Sequence, residues 1–363
     1  SFGFNAVGAG KINGTTYWDE KVYTHFWTTS IDSDYIIIRA LGHNNNGIYR
    51  SPDNPNMGYS IRCLENIYGC THPNATNYDE TANVDDGSCE YETVQIGHQV
   101  WMTENLKATH YRNGDAIPTG LDNDAWAATE EGAYAVYGDN PANAEIYGNL
   151  YNWYIVDDNR GICTEGWHVP SIYEFDDLLV YLGLNQGEIT VFDEWHGTNE
   201  GSKLANIEEL WNDSPNGNGV KDDDEFGLSG FDWLPSGSRH FNGSYNPDLG
   251  YGGRIMTSTE YSSNQGTHLS IEYDKKTIRY DRVHKKNGYS VRCLSDELQN
   301  TTILIPENFA TIQEAIDYSI DGDTILVSAG TYYENINFNG KNIALIGEDR
   351  ETTIIDGEQN GTV

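Results

Sequence analysis

Between Leu269 and Tyr280 apolar and polar positions alternate. Leu269, Ile271 and Tyr273 share one face, Lys275-Lys276 break the run, and Ile278 and Tyr280 resume it. A period of two that stops and restarts predicts an antiparallel hairpin. The period becomes helical at Phe175, Leu178, Leu179 and Leu182, with Ser171 and Glu174 spaced as a capping box and Gly183 placed to end the helix. Ile303-Leu304-Ile305-Pro306 leads to a second box, Thr311 with Glu314, ahead of a short helix facing inward through Ile312, Ala315, Ile316 and Ser319 or Ile320. After the Asp321-Gly322-Asp323 turn come brief strands: Thr324–Val327, Ile336–Phe338, Ile343–Ile346 and Thr353–Ile355. They are punctuated by Gly330, Gly340, Gly347 and Gly357. Short Ile/Val runs between Gly, Asn and Asp turns suit a parallel β-helix, whose rungs stack.

The chain also repeats itself. Gly14, Trp27, Gly58 and Cys63 are separated by 13, 31 and 5 residues; Gly243, Met256, Gly288 and Cys293 are separated by 13, 32 and 5. Gly58-Tyr59-Ser60-Ile61-Arg62-Cys63-Leu64 reappears as Gly288-Tyr289-Ser290-Val291-Arg292-Cys293-Leu294. Agreement over such a span predicts a shared fold. The second copy follows a long segment with no counterpart before the first, so the chain reads as a fragment whose first copy is truncated.

Composition narrows the function. The 363 residues carry 56 Asp and Glu against 21 Lys and Arg, a formal net charge of −35. A nucleic-acid surface needs clustered cations, so that class is excluded. The longest apolar runs, such as Tyr35–Ile38 and Ile303–Ile305, fall far below the ~20 residues a membrane helix requires. With 12% aromatic residues, 38 Gly and 25 Tyr, the chain reads as turn-rich and β-leaning rather than disordered. No signal-peptide pattern opens the sequence.

Five cysteines are an odd number. Residues 66–90 are turn-rich and nearly free of aliphatic side chains, and a Cys70–Cys89 bridge would stabilise them by about 3 kcal/mol. With Gly69-Cys70 and Asp86-Gly87-Ser88-Cys89 they resemble the spacer repeats between modules of secreted marine bacterial proteins. A calcium loop does not fit there, because Ala82 and Val84 stand where ligands are needed. Cys163 and Cys293 lie at the middle and end of the second copy, and a bridge between them is worth about 4–5 kcal/mol in an oxidising compartment. Cys63, the counterpart of Cys293, is expected to be unpaired.

Four motifs follow in order: Gln95-Ile96-Gly97-His98-Gln99-Val100-Trp101-Met102-Thr103-Glu104-Asn105-Leu106, Gly148-Asn149-Leu150-Tyr151-Asn152-Trp153, Cys163-Thr164-Glu165-Gly166-Trp167-His168-Val169-Pro170-Ser171, and Gly288 to Cys293. They resemble the Fibrobacter succinogenes major paralogous domain family over residues 91–295. The resemblance implies an exported protein and a fold similar to the C-type-lectin-like or formylglycine-generating-enzyme group, without an established activity. Those enzymes need a reactive cysteine pair, and none is left over here. Residues 301–363 resemble the N-terminal cap and first rungs of pectin-lyase-like right-handed β-helix proteins, whose catalytic residues lie on later rungs.

The expected fold class is therefore α+β C-type-lectin-like modules, one truncated (1–65) and one complete (91–296). A small disulfide spacer (66–90) joins them, and the start of a right-handed parallel β-helix (297–363) follows. A sharper chemical candidate is the loop Ser214 to Glu225. There Asn216, Asn218, the Val220 carbonyl, Asp222 and Glu225 match EF-hand ligand spacing around Gly219, making calcium the one candidate cofactor. A solvated acidic loop is the stronger reading, because Ser214 replaces the usual first Asp and no flanking helix is evident. His168 and His196 are acid/base candidates that read better as structural histidines. Seven cations between Lys275 and Arg292 form either a binding patch or, more commonly, protection of a strand edge. No catalytic residue is assigned. The expected function is a non-catalytic, glycan-binding or adhesive part of a multidomain extracellular or cell-surface bacterial protein, with extracellular polysaccharide or cell-surface glycan as partner. The alternatives are accessory modules of a β-helix polysaccharide lyase or hydrolase, or a purely structural surface protein.

Overall fold

A computed structural model describes residues 10–13, 15–18, 22–32, 35–44, 47–63, 65–85, 88–189 and 192–357. It divides into two compact units, Ser1–Ile67 and Tyr68–Val363.

Among the described residues of the first unit, the regular elements are strands. β1 (Lys11–Asn13), β2 (Thr16–Trp18) and β6 (Met57–Gly58) form one antiparallel sheet; β3 (Tyr23–Asp32), β4 (Tyr35–Gly42) and β5 (Ile48–Asp53) form another. The central strand β4 carries the small core, with Ile37, Ile38 and Ala40 buried. The chain then returns beside β3: the Trp27 amide donates to the Ser60 carbonyl at 3.1 Å and the Ser60 amide to the His25 carbonyl at 3.2 Å.

The second unit opens with the spacer, where β7 (Tyr68–Gly69) and β8 (Val84–Asp85) pair in parallel and a disulfide joins Cys70 to Cys89. Next come β9 (Thr93–Ile96), β10 (Gln99–Met102), α1 (Asn123–Ala128), β11 (Tyr134–Ala135), α2 (Pro141–Tyr147) and β12 (Leu150–Tyr151). They are followed by β13 (Trp167–His168), α3 (Ile172–Tyr181), β14 (Trp195–His196), α4 (Glu200–Leu204), β15 (Gly252–Ser262), β16 (Gln265–Glu272), β17 (Ile278–His284) and β18 (Leu294–Ser295). Two four-stranded sheets result, ordered β13-β18-β10-β9 and β14-β17-β16-β15, both antiparallel.

Ser171 and Glu174 close the capping box of α3, and Gly183, at φ 114°, follows its last turn. Phe175, Leu178 and Leu179 are fully buried against Trp101, Phe231, Trp233, Leu269, Ile271, Ile278 and Tyr280. Each such side chain contributes on the order of 1.5–3 kcal/mol. Helices α1, α2 and α4 lie outside the apolar pattern because each buries a single large apolar side chain, Trp126, Tyr147 and Leu204, and one position makes no period. Local caps start two of them, Asp122 accepting from the Ala125 amide and Asn140 from the Ala142 amide.

The basic stretch lies on and around β17, which pairs with β16 on one side; on the other, β14 covers only Ile278 and Arg279, and Phe192 bridges to Tyr280. Most of its cations meet carboxylates: Lys275 with Asp274, Lys276 with Asp223, Arg279 with Asp281, Arg282 with Asp193 and Lys285 with Glu260. Lys286 donates to the Ala127 carbonyl, and Arg292 is buried.

In the C-terminal part, β19 (Thr302–Ile305) precedes α5 (Ile312–Tyr318), which begins at the Thr311–Glu314 capping box. β20 (Thr324–Val327), β21 (Gly330–Tyr332), β22 (Ala344–Gly347) and β23 (Thr353–Ile355) follow. β19, β20 and β22 pair in parallel and in register, Ile303 beside Ile325 beside Leu345; β21 and β23 pair in parallel separately. The strand expected at Ile336–Phe338 is absent. The Asn337 amide donates to Gln313 Oε1, and its carbonyl accepts from Gln313 Nε2, so a helix side chain takes the backbone bonds a ladder would need. These strands pack onto the preceding domain: Val180 of α3 lies in one cluster with Ile303, Ile305, Ile312, Ile316, Ile325 and Val327. Among the described residues no helix is long and apolar enough to cross a membrane.

Candidate functional site

The four sequence motifs converge on the last of them, and they do so in the interior. Asn105 donates from Nδ2 to the Tyr147 carbonyl and Ser290 Oγ, and accepts from Arg292 at 2.8 Å. Arg292 also donates to the Phe231 and Asp232 carbonyls and stacks 4.5 Å from the Phe231 ring centre. Its side chain is fully buried, and burial lowers its pKa. Tyr151 and Tyr289 exchange both backbone hydrogen bonds, at 2.8 and 3.0 Å. Trp153 donates from its ring to the Thr257 carbonyl, while the Lys285 ammonium sits 4.2 Å from that ring's centre. Cys163 is bonded to Cys293, both buried. These motif residues hold the chain together; their polar atoms face each other, as buried polar groups must.

His168 keeps both ring nitrogens on carboxylates, Nδ1 2.6 Å from Asp296 and Nε2 2.8 Å from Glu174. The Glu174 hydrogen bond, helped by Asp296 and opposed by burial, raises the His168 pKa. Burial pushes Glu174 up, but the bonds from His168 and Ser171 outweigh it and leave the carboxyl lowered. A histidine clamped on both sides is a strut between α3 and the chain after β18. His196 is buried on β14, its ring 5.9 Å from that of Tyr280.

The loop with EF-hand spacing does not gather its oxygens. Asp222 accepts from the Gly219 amide of its own turn, and Glu225 lies 3.2 Å from the Lys203 ammonium and accepts from Asn199. Val220 is buried, while Asn216 and Asn218 are exposed. Among the described residues, no three His, Cys, Asp or Glu side chains cluster as a metal site would need. Cys63 carries a free, exposed thiol.

The aromatic residues divide in the same way. Trp101, Trp126, Trp153, Trp211 and Trp233 are buried. Trp195 is half-buried, with the Lys275 ammonium 4.9 Å from its ring centre.

A concave site lies elsewhere, on the seam between the spacer and the domain. A cavity of about 230 Å³ is lined by Pro73, Asn74, Ala75, Thr76, Tyr91, Glu92, Met102, Glu104 and Lys107. Asn74 builds it: its Oδ1 accepts from the Lys107 amide at 2.6 Å, and its Nδ2 donates to the Asn105 carbonyl at 3.1 Å and to Glu104 at 3.3 Å. The Cys70–Cys89 bridge ties down the spacer that supplies this side chain. Met102 and Ala75 are buried beneath, while Glu92, Glu104 and Thr76 are exposed, and Lys107 pairs with Glu104 at 2.9 Å. Two carboxylates, an ammonium, a hydroxyl and a tyrosine edge around an apolar floor can hold one small polyhydroxylated or amine-bearing group. The volume is below the ~300 Å³ at which drug-sized pockets begin. Sequence reasoning missed this site because Asn74 meets its partners 30 or more residues away, which leaves no periodic trace.

A family model described as the Fibrobacter succinogenes major domain matches residues 94–295. No curated protein and no solved structure matches the chain.

Proposed function

Because the chain belongs to the Fibrobacter succinogenes major domain family, we propose that it is a non-catalytic, glycan-binding or adhesive part of an exported multidomain protein. Its ligand site on this reading is the seam cavity. The observation that carries the proposal is that cavity's lining, Glu92, Glu104, Lys107 and Thr76 around Met102, on a spacer fastened by Asn74 and a disulfide. Exposed carboxylates there, on a chain of net charge −35, repel polyanions, so the ligand class is neutral or amino sugars. Two disulfides support export, since they persist in oxidising compartments.

Residues 10–63 are the C-terminal part of a second such domain. In support, β3, β4 and β5 fall on β15, β16 and β17 under a shift of 229 or 230 residues. The bonds of Ser60 to Trp27 and His25 likewise match those of Ser290 to Met256 and Arg254, at 2.9 and 3.2 Å. Residues 301–357 are the beginning of a right-handed parallel β-helix, a reading supported by the in-register parallel pairing of β19, β20 and β22. On that basis the domain is an accessory to whatever such a β-helix does. The two antiparallel sheets, which share one apolar cluster with α3, are compatible with a C-type-lectin-like class.

The test is a glycan array on the intact chain, followed by calorimetric titration of the hits. Neutral or amino sugars should bind, and the double substitution Glu92→Gln/Thr76→Ala should abolish binding without lowering Tm. A silent array would favour the purely architectural reading, which the inward-facing motif residues support.

A further inference from the structure

Three side chains on the seam between spacer and domain form a reactive arrangement. Glu104 Oε2 touches two nitrogens at once, the Lys107 ammonium at 2.9 Å and Asn74 Nδ2 at 3.3 Å. The Asn74 carboxamide is held at both ends. Its Oδ1 accepts from the Lys107 backbone amide at 2.6 Å, and its Nδ2 donates to the Asn105 carbonyl at 3.1 Å. Acyl transfer needs an amine beside a base, a carbonyl oxygen on a fixed N–H donor, and a leaving nitrogen beside an acid. Here one carboxylate serves both nitrogens, and the lysine supplies both the amine and the N–H donor.

We propose that Lys107 and Asn74 join in an autocatalytic isopeptide bond that fastens the spacer to the domain. Glu104 takes a proton from the ammonium, and the freed Nζ swings on its flexible four-carbon stem to attack Asn74 Cγ. Negative charge developing on Oδ1 is stabilised by the Lys107 N–H already aimed at it. The Nζ–Cγ bond forms and the Cγ–Nδ2 bond breaks. The two protons that Nζ sheds pass through Glu104 to the departing nitrogen, which leaves as ammonium. No oxidant, metal or cofactor is consumed. The bond goes beyond the glycan reading and does not depend on it.

A second set of the same residue types provides an internal comparison. Glu225 Oε2 lies 3.2 Å from the Lys203 ammonium and 2.9 Å from Asn199 Nδ2. There, however, Asn199 Oδ1 accepts from the Thr198 hydroxyl at 3.4 Å rather than from a backbone amide, and the Leu182 carbonyl draws the Lys203 ammonium to 2.7 Å. Without a fixed N–H donor on the carbonyl, this set should stay unreacted.

The test is mass spectrometry of the intact chain over a time course of incubation, followed by proteolytic peptide mapping. The wild-type mass should fall below that of the sequence by one ammonia, and a branched peptide should join Lys107 to Asn74. Lys107→Arg should restore the full mass. Glu104→Gln should slow bond formation at least about a hundredfold, the usual weight of general acid–base catalysis. Slow exchange of the Lys107 amide in that variant shows that the spacer stays docked and that the slowing is chemical. A wild-type chain that keeps its full mass after prolonged incubation would overturn the proposal. Loss of ammonia without the 74–107 branch would overturn it too, because a succinimide elsewhere in the chain loses the same group. A branch between Asn199 and Lys203 in equal yield would overturn the role given to the Lys107 amide. These readouts involve no sugar, so a silent glycan array removes the glycan reading and leaves the bond standing.

Discussion

His98 Nε2 lies 2.6 Å from the Asp323 carboxylate in a buried contact between the β9–β10 turn and the parallel strands that follow the domain. Tyr318 stacks on the other side of the ring at 4.6 Å, and Gly97, at φ 58°, leaves the room that a side chain would take from the Tyr318 hydroxyl. The Asp323 carboxylate also accepts from the Thr301 amide, well back along the chain, and from the nearby Ile320 amide. One carboxylate thus joins the start of β19, the end of α5 and the domain. Asp323→Ala is expected to cost about 3–5 kcal/mol, the usual result of stranding buried polar partners. Chemical denaturation of the second unit should lose its single transition, with the C-terminal strands unfolding first.

Asn105 and Arg292 give a second expectation. Asn105→Ala removes a hydrogen bond to a buried guanidinium and should lower stability by about 2–3 kcal/mol. Arg292→Lys should also be destabilising, because an ammonium cannot reach Asn105 and two carbonyls while stacking on Phe231. Urea titration measures both.

The two disulfides should differ in weight. Cys163→Ala/Cys293→Ala is expected to cost about 4–5 kcal/mol from its long loop, and Cys70→Ala/Cys89→Ala about 3 kcal/mol. Only the second pair should weaken the proposed sugar binding while leaving the domain's fold intact, because it frees the spacer that carries Asn74.

His168 sets a pH dependence. Its pKa is raised in the folded protein by Glu174 and Asp296, so the stability it contributes is complete below the unfolded value of about 6.5. That contribution is lost as pH rises through the folded value. Wild-type Tm should therefore fall from pH 6 upward, and His168→Gln should flatten the curve. The ring is more than one-third exposed, so solvent screening limits the effect to under about 1 kcal/mol, or roughly 1–3 °C. Glu174 acts in the opposite direction: its lowered pKa adds stability above its unfolded value of about 4.3, lost on acidification.

Calcium should leave Tm unchanged, because Asp222 and Glu225 already serve the Gly219 amide, Lys203 and Asn199. A calcium-dependent rise abolished by Asp222→Asn would restore the EF-hand reading.

The chain's local chemistry is written in its sequence. The capping boxes at Ser171 and Thr311, the amphipathic face of α3 and the hairpin from Leu269 to Tyr280 rest on interactions within a few residues, so periodicity exposes them. The matching spacings of Gly14 to Cys63 and Gly243 to Cys293 are likewise read off the sequence alone. Tertiary structure decided the rest. That β14 meets the start of β17, that Gln313 takes the backbone bonds of Asn337, and that Asn74 builds a cavity against Glu104 and Lys107 all depend on partners brought together by folding over 20 or more positions. Burial and hydrogen bonding choose such partners by position in space, and a one-dimensional pattern records only the residue types available to be chosen.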